Sequence, residues 1–175
     1  MIILENNKLI IIIDAKGAEM KSIRNISSGI EYIWDANPKY WSRNAPLLFP
    51  IVGRVVNDKY IVDGRRFNLS QHGFARDMEF SVDNFNKSSV SLSLKWCEAT
   101  LQLYPYKFKL RVIYTLDENT LSIKYEVKNK DEKVIYFSIG AHPGFNWPLL
   151  ENENKEDYYL EFEKQETCGI NKVTK

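Results

Sequence analysis

The sequence predicts an all-β protein built as an antiparallel β-sandwich, and three observations carry that prediction. Apolar and polar residues alternate with a period of two through several long stretches. An Asp63-Gly64 pair separates two short apolar runs, as in a tight hairpin. Isoleucine and valine are abundant, and aromatic residues make up 13% of the chain, a composition that suits pleated, half-buried surfaces more than helices. The 175 residues fit one domain, 1–175, with a buried core.

Taken in order, Leu9 to Asp14, Ser22 to Asn25 and Glu31 to Trp34 read as strands. Asn37 to Trp41 has room for one helical turn. Tyr60 to Val62 and Arg66 to Leu69 flank Asp63-Gly64 and form a hairpin with a type I′ turn. Val90, Leu92, Leu94 and Trp96 share one face of a strand, with Ser91, Ser93 and Lys95 on the other. Glu98 to Tyr104 makes about two helical turns before Pro105 stops it. Phe108, Leu110, Val112, Tyr114 and Leu116 point inward from the next strand. After an Asp117-Glu118-Asn119 turn, Leu121 to Val127 continues with Ser122, Lys124 and Glu126 on its wet face. Val134 to Ile139 and Tyr158 to Glu163 are the last expected strands, and Glu151 to Asp157 is an acidic, solvated loop. Strands without alternating helices favour a sandwich over an α/β fold.

Charge and cysteines narrow the function. Lys plus Arg total 24 against 23 for Asp plus Glu, and no basic run offers a nucleic acid a face. The longest apolar run unbroken by proline, Leu9 to Ile13, is too short to cross a bilayer, and a secretory signal pattern is missing. Cys97 and Cys168 have no metal-ligand spacing. They read as reduced thiols of a cytoplasmic protein, with a disulfide between them as the alternative.

The two histidines each sit where a strand ends in a sharp turn. His72 lies in Ser70-Gln71-His72-Gly73-Phe74-Ala75-Arg76-Asp77, and His142 lies in Gly140-Ala141-His142-Pro143-Gly144-Phe145-Asn146. Such a position on a rigid scaffold suits a site, and imidazole suits proton transfer; a turn histidine bonded to nearby backbone is the competing explanation. The run from Asn44 to Arg54 has prolines at 46 and 50 around an apolar stretch, too proline-rich for a central strand, and is expected to line an edge or a cleft. Arg54 at its end is suited to sugar hydroxyls or a carboxylate, against a surface ion pair. Trp34, Trp41, Phe74, Phe145 and Trp147 are candidate sugar platforms, with core packing the commoner role of such rings.

Together the strings NAPLLFPIVGR, QHGFARD and IGAHPGFNWPL, in this order and along nearly the whole chain, resemble the aldose 1-epimerase (galactose mutarotase) superfamily, and within it the LacX-like branch. The resemblance implies a twisted β-supersandwich with an open cleft that binds a hexose and interconverts its α and β anomers without cofactor or metal. A base takes the C1 hydroxyl proton while an acid protonates the ring oxygen. By motif, His142 is the acid, His72 bonds near the same oxygen, and Arg54, Arg76 and Asn146 bind substrate. In that family the base is a glutamate, and a sugar-binding aspartate also lies in the C-terminal part. The sequence reaches Lys175 before either, and Thr167 to Lys175 departs from the pattern. The sandwich is therefore expected to be incomplete at its C-terminus, with impaired mutarotation and unpaired sheet edges open to self-association. Asp77 and Glu79 are the nearest local carboxylates, and Asp77 beside Arg76 is expected to be held by a charge partner. A hexose-6-phosphate 1-epimerase with Arg76 on the phosphate, and a non-catalytic carbohydrate-binding protein, are the alternatives implied.

Overall fold

The computed structural model describes residues 1–165 together with 167 and 169. Strands β1 (Ile2–Glu5), β2 (Leu9–Asp14) and β3 (Glu19–Asn25) form an antiparallel sheet in that order. A two-residue strand, β4 (Leu47–Leu48), follows, and then the hairpin of β5 (Lys59–Val62) and β6 (Arg65–Asn68). Its connection has positive φ at both Asp63 (48°) and Gly64 (74°), the requirement of a type I′ turn. Strands β7 (Ser81–Phe85), β8 (Ser89–Lys95), β9 (Phe108–Asp117) and β10 (Thr120–Asn129) build a second antiparallel sheet in the order β10-β9-β8-β7. Finally β11 (Gly140–Ala141) pairs with β4. The helix α1 (Glu98–Leu103) starts where Cys97 N–H donates to Thr100 Oγ1 (2.9 Å) and ends before Pro105. Among the described residues no helix is long and apolar enough to cross a membrane.

Period-two alternation decides which face is dry. Phe108, Leu110, Val112, Tyr114 and Leu116 of β9 are buried, as are Val90, Leu92 and Leu94 of β8 and Leu9, Ile11 and Ile13 of β2, all in one cluster. Each such aliphatic or aromatic side chain stabilises the fold by roughly 1.5–3 kcal/mol relative to leaving it in water. The Tyr114 hydroxyl crosses between the sheets and donates to Ala18 O at 2.7 Å, satisfying a polar group that burial would otherwise penalise. Ser91 and Ser93 point the other way yet are also buried. They lie under a polar lid in which Ser93 donates to Asp83 (2.8 Å), Arg111 donates to Ser91 (3.1 Å), and Arg111 pairs with Glu126 (2.9 Å).

Several expected elements take another form. Glu31 to Trp34 is not a continuous strand but two isolated pairings, Arg24 with Glu31 and Ile33 with Phe145. The Glu31 carboxylate accepts the N–H groups of Ile23 and Ile33 (both 2.9 Å) and so replaces ladder carbonyls with a side chain. In the stretch Val134 to Ile139, Ser138 N–H donates to Pro50 O and Val52 N–H donates to Ser138 Oγ (both 2.9 Å), and ladder pairing begins only at Gly140. Pro50 has no N–H to return. Tyr158 to Glu163 is not a strand: a single 3₁₀ turn at Lys155–Asp157 precedes it, and Tyr159 and Leu160 are exposed. Strands β1 and β7 are additional to the expected ones. The proline-bracketed run divides: Leu47, Leu48 and Phe49 are buried, whereas Pro50 and Ile51 line a cavity of about 570 Å³ with Tyr60 and Tyr104. Cys97 is exposed; Cys168 lies outside the described residues.

Candidate functional site

Phe49 is the platform on which the site rests. Its ring is fully buried and meets those of Phe74 (6.4 Å), Tyr104 (6.0 Å), Phe108 (5.1 Å) and Phe137 (5.7 Å). Its backbone holds the histidine loop. Phe49 O accepts Phe74 N–H (3.1 Å) and Ala75 N–H (3.2 Å), while Phe49 N–H donates to His72 O (3.3 Å). The loop turns through His72 and Gly73 with φ of 67° and 70°. A Cβ at Gly73 would sit 2.2 Å from Phe49 O, so only glycine admits this approach.

That turn fixes the His72 ring. His72 N–H donates to Gly53 O (2.7 Å), and Gly53 N–H donates back to His72 Nδ1 (3.0 Å). With Nδ1 an acceptor, the neutral ring carries its proton on Nε2, where it is a donor. The Gln71 amide lies 3.3 Å from Nε2. Burial, then the charges of Arg76 and His142, hold the His72 pKa below the ordinary histidine value; the neutral donor is the favoured form.

His142 follows β11 directly and is carried to the same place. His142 N–H donates to Pro46 O (3.1 Å), Gly144 N–H to Asn44 O (2.8 Å), Trp34 N–H to Gly144 O (3.0 Å) and Asn146 N–H to Tyr32 O (2.8 Å). This ladder puts the exposed His142 imidazole 6.4 Å from that of His72, centroid to centroid, at 48°. It also meets the Trp41 ring at 5.1 Å.

The remaining predicted residues are placed differently. The Arg54 backbone adjoins His72 through Gly53, but its guanidinium turns away and grips Asp58 in a bidentate fork (2.6 and 2.5 Å) at the surface. Arg76 donates to Gln71 O (2.8 Å), and its Nε lies 3.7 Å from Asp77, which Arg43 also holds (2.5 Å). Arg76 and Arg43, with Lys16 and Lys21, line a cavity of about 230 Å³ opposite Asp14, Glu19 and Asp77. Asn146 spends its Nδ2 on Glu31 O (2.9 Å) and Ile33 O (3.1 Å), clamping the His142 loop. Among the candidate platforms, Phe74 is buried, Trp34 and Trp41 half-buried, and Phe145 and Trp147 exposed. Two participants escaped the sequence reading. The Gly53 N–H is a backbone atom that no residue type announces; Arg43, adjacent to the Asn44 motif, was legible as a lone cation only.

Comparison with known proteins finds relatives of the whole chain. The aldose 1-epimerase family model matches residues 1–175. The chromosomal and plasmid LacX proteins of Lactococcus lactis subsp. lactis are each 41% identical over 175 residues, a match that covers 97% of this chain and 58% of theirs. Among solved structures, a galactose mutarotase related enzyme from Lactobacillus acidophilus is 45% identical with a TM-score of 0.86, covering 89% of this chain and 52% of that one. A galactose mutarotase-like protein from Lactobacillus casei is 38% identical with a TM-score of 0.83, covering 87% and 52%. The fold is thus the galactose mutarotase-like sandwich, and the chain spans a little over half the length of these relatives.

Proposed function

Because this chain belongs to the aldose 1-epimerase family, we propose that His72 and His142 together grip the anomeric end of a hexose and supply the acid half of anomer interconversion. The observation that carries this reading is the 6.4 Å approach of the two rings, with one held as an Nε2–H donor by Gly53. In the proposed step His142 delivers its proton to the pyranose ring oxygen as the C1–O5 bond opens, and the C1 hydroxyl passes its proton to solvent water, which returns one on reclosure. The His72 Nε2–H donates to the same oxygen and stabilises the charge that develops there. Rotation about C1–C2 and reclosure return the proton to His142. Asp58 and Asp77 are held by Arg54 and by Arg43, so neither is assigned as the base for the C1 hydroxyl.

Exchange between the α and β anomers of glucose and galactose, followed by magnetisation-transfer NMR, tests the reading. Acceleration over buffer that disappears in His142→Gln is expected, and so is heat of hexose binding in calorimetry. Binding without any acceleration would reassign the chain as a sugar-binding protein; neither binding nor acceleration would contradict the proposal. A phosphorylated hexose is a second reading, favoured by the Arg43–Arg76 cavity, where four cations outnumber the three carboxylates Asp14, Glu19 and Asp77. It requires that glucose 6-phosphate bind more tightly than glucose and that Arg76→Ala erase the difference.

A further inference from the structure

We propose that Trp41 is a positioning residue that holds the His142 imidazole in its working orientation, and that Gly144 lacks a side chain in order to admit it. This rests on the reading of His142 as the acid. His142 is exposed and follows a two-residue strand, so its backbone tether leaves the ring free to change rotamer. Two rings flank it, His72 at 6.4 Å and Trp41 at 5.1 Å and 61°, the nearer contact being an edge-type aromatic pairing with a preferred geometry. A charged imidazole beside an indole gains further from the ring quadrupole, so the contact persists in both protonation states.

Trp41 is itself wedged. Its carbonyl accepts the Trp34 Nε1–H at 2.8 Å, and its N–H donates to Asn37 O at 3.0 Å. A Cβ built on Gly144 would lie 2.9 Å from Trp41 Cζ3, closer than such contacts come, and 3.1 Å from Trp34 Cβ, tighter than most. Gly144 is meanwhile pinned from both sides, through its N–H to Asn44 O and its O from Trp34 N–H, and cannot retreat. The indole therefore occupies a slot with one wall of glycine backbone and another of imidazole. The same geometry gives Gly144 a packing reason within His142-Pro143-Gly144-Phe145, independent of turn formation.

The experiment reads the contact directly and then its effect on the ring. Imidazole quenches a neighbouring indole, so tryptophan fluorescence should step upward when His142→Gln removes the ring. The step should vanish when the same substitution is made in Trp41→Phe and survive in Trp147→Phe. In ¹⁵N-histidine NMR at one fixed pH, Trp41→Leu should shift and broaden the His142 ring signals, while Trp41→Phe should restore both nearly to the native values. Gly144→Ala, which keeps both side chains but displaces the Trp41 ring, should move the His142 signals as Trp41→Leu does. A fluorescence step that persists in Trp41→Phe, or His142 ring signals identical in Trp41→Leu and the native chain, would overturn the proposal. Should the step and the signal shift appear while no hexose binds, the contact stands and the sugar reading fails instead.

Discussion

The backbone N–H of Gly53 donates to Nδ1 of His72 at 3.0 Å, so a main-chain atom selects the tautomer of a side chain in the site. The ring is left with a proton on Nε2, and adding a second proton at Nδ1 breaks the Gly53 bond. Burial and the neighbouring charges of Arg76 and His142 already lower its proton affinity.

His72 should therefore titrate below an ordinary histidine in the folded chain. The sign for stability follows by linkage. An unfolded chain takes up this proton as pH falls past about 6.5, whereas the folded chain resists until its lower folded-state pKa. Stability present above the ordinary value is lost as pH falls through that window and then levels off. Urea midpoints measured across it should drop for the native chain and drop less for His72→Gln; equal drops would show that His72 is not the group responsible.

Gly73→Ala should destabilise the chain by at least about 2 kcal/mol, since a non-glycine at such a φ costs on the order of 1–3 kcal/mol. The added Cβ would also press on Phe49 O at 2.2 Å, backbone that cannot yield cheaply. A denaturant midpoint within error of the native value would contradict the tight approach.

Phe49→Ala empties the centre of five rings and should cost roughly 3–5 kcal/mol. Because the same residue receives Phe74 N–H and Ala75 N–H, the loss should also show as faster hydrogen exchange at those two amides. Protection unchanged there would separate the core from the histidine loop.

The legible part of the fold was the local part. Alternation in Val90 to Trp96, Phe108 to Leu116 and Leu121 to Val127 needs only neighbouring residues to be read, and so does Asp63-Gly64. Strand β7 was not legible because all five of its residues are exposed and impose no pattern. Glu31 to Trp34 looked like a strand because its sequence is apolar and extended, yet a carboxylate from its own first residue took the ladder's place. The site followed the same division. Both histidines stood out at strand exits, where turn residues mark them. The commitments of Asn146 to Glu31 O and Ile33 O, and of Arg54 to Asp58, depend on what tertiary contact brings near, which residue type alone does not encode.

Asn146→Asp should therefore act on stability before it acts on any ligand. It replaces a donor shared by two carbonyls with an acceptor, leaving buried groups unpaired at a cost of about 1–3 kcal/mol. Thermal unfolding should report the loss without sugar present. A variant with native stability but weakened hexose binding would instead make Asn146 a ligand contact.

Arg54→Ala should leave stability almost untouched, because its partner Asp58 is a surface group and exposed pairs contribute little. Asp58→Ala releases the guanidinium, so hexose affinity by calorimetry should rise or stay level if Arg54 reaches the sugar. A fall would mean that the Arg54–Asp58 pair works as a unit.

Both imidazoles should feel one ligand. The deciding measurement is a titration of the ¹⁵N-histidine-labelled chain with glucose or galactose, followed through the ring signals of His72 and His142. If one hexose lies between them, the two sets move together along a single binding isotherm, and His142→Gln weakens the shift at His72. Saturating sugar that moves only one ring, or neither, would contradict the shared site.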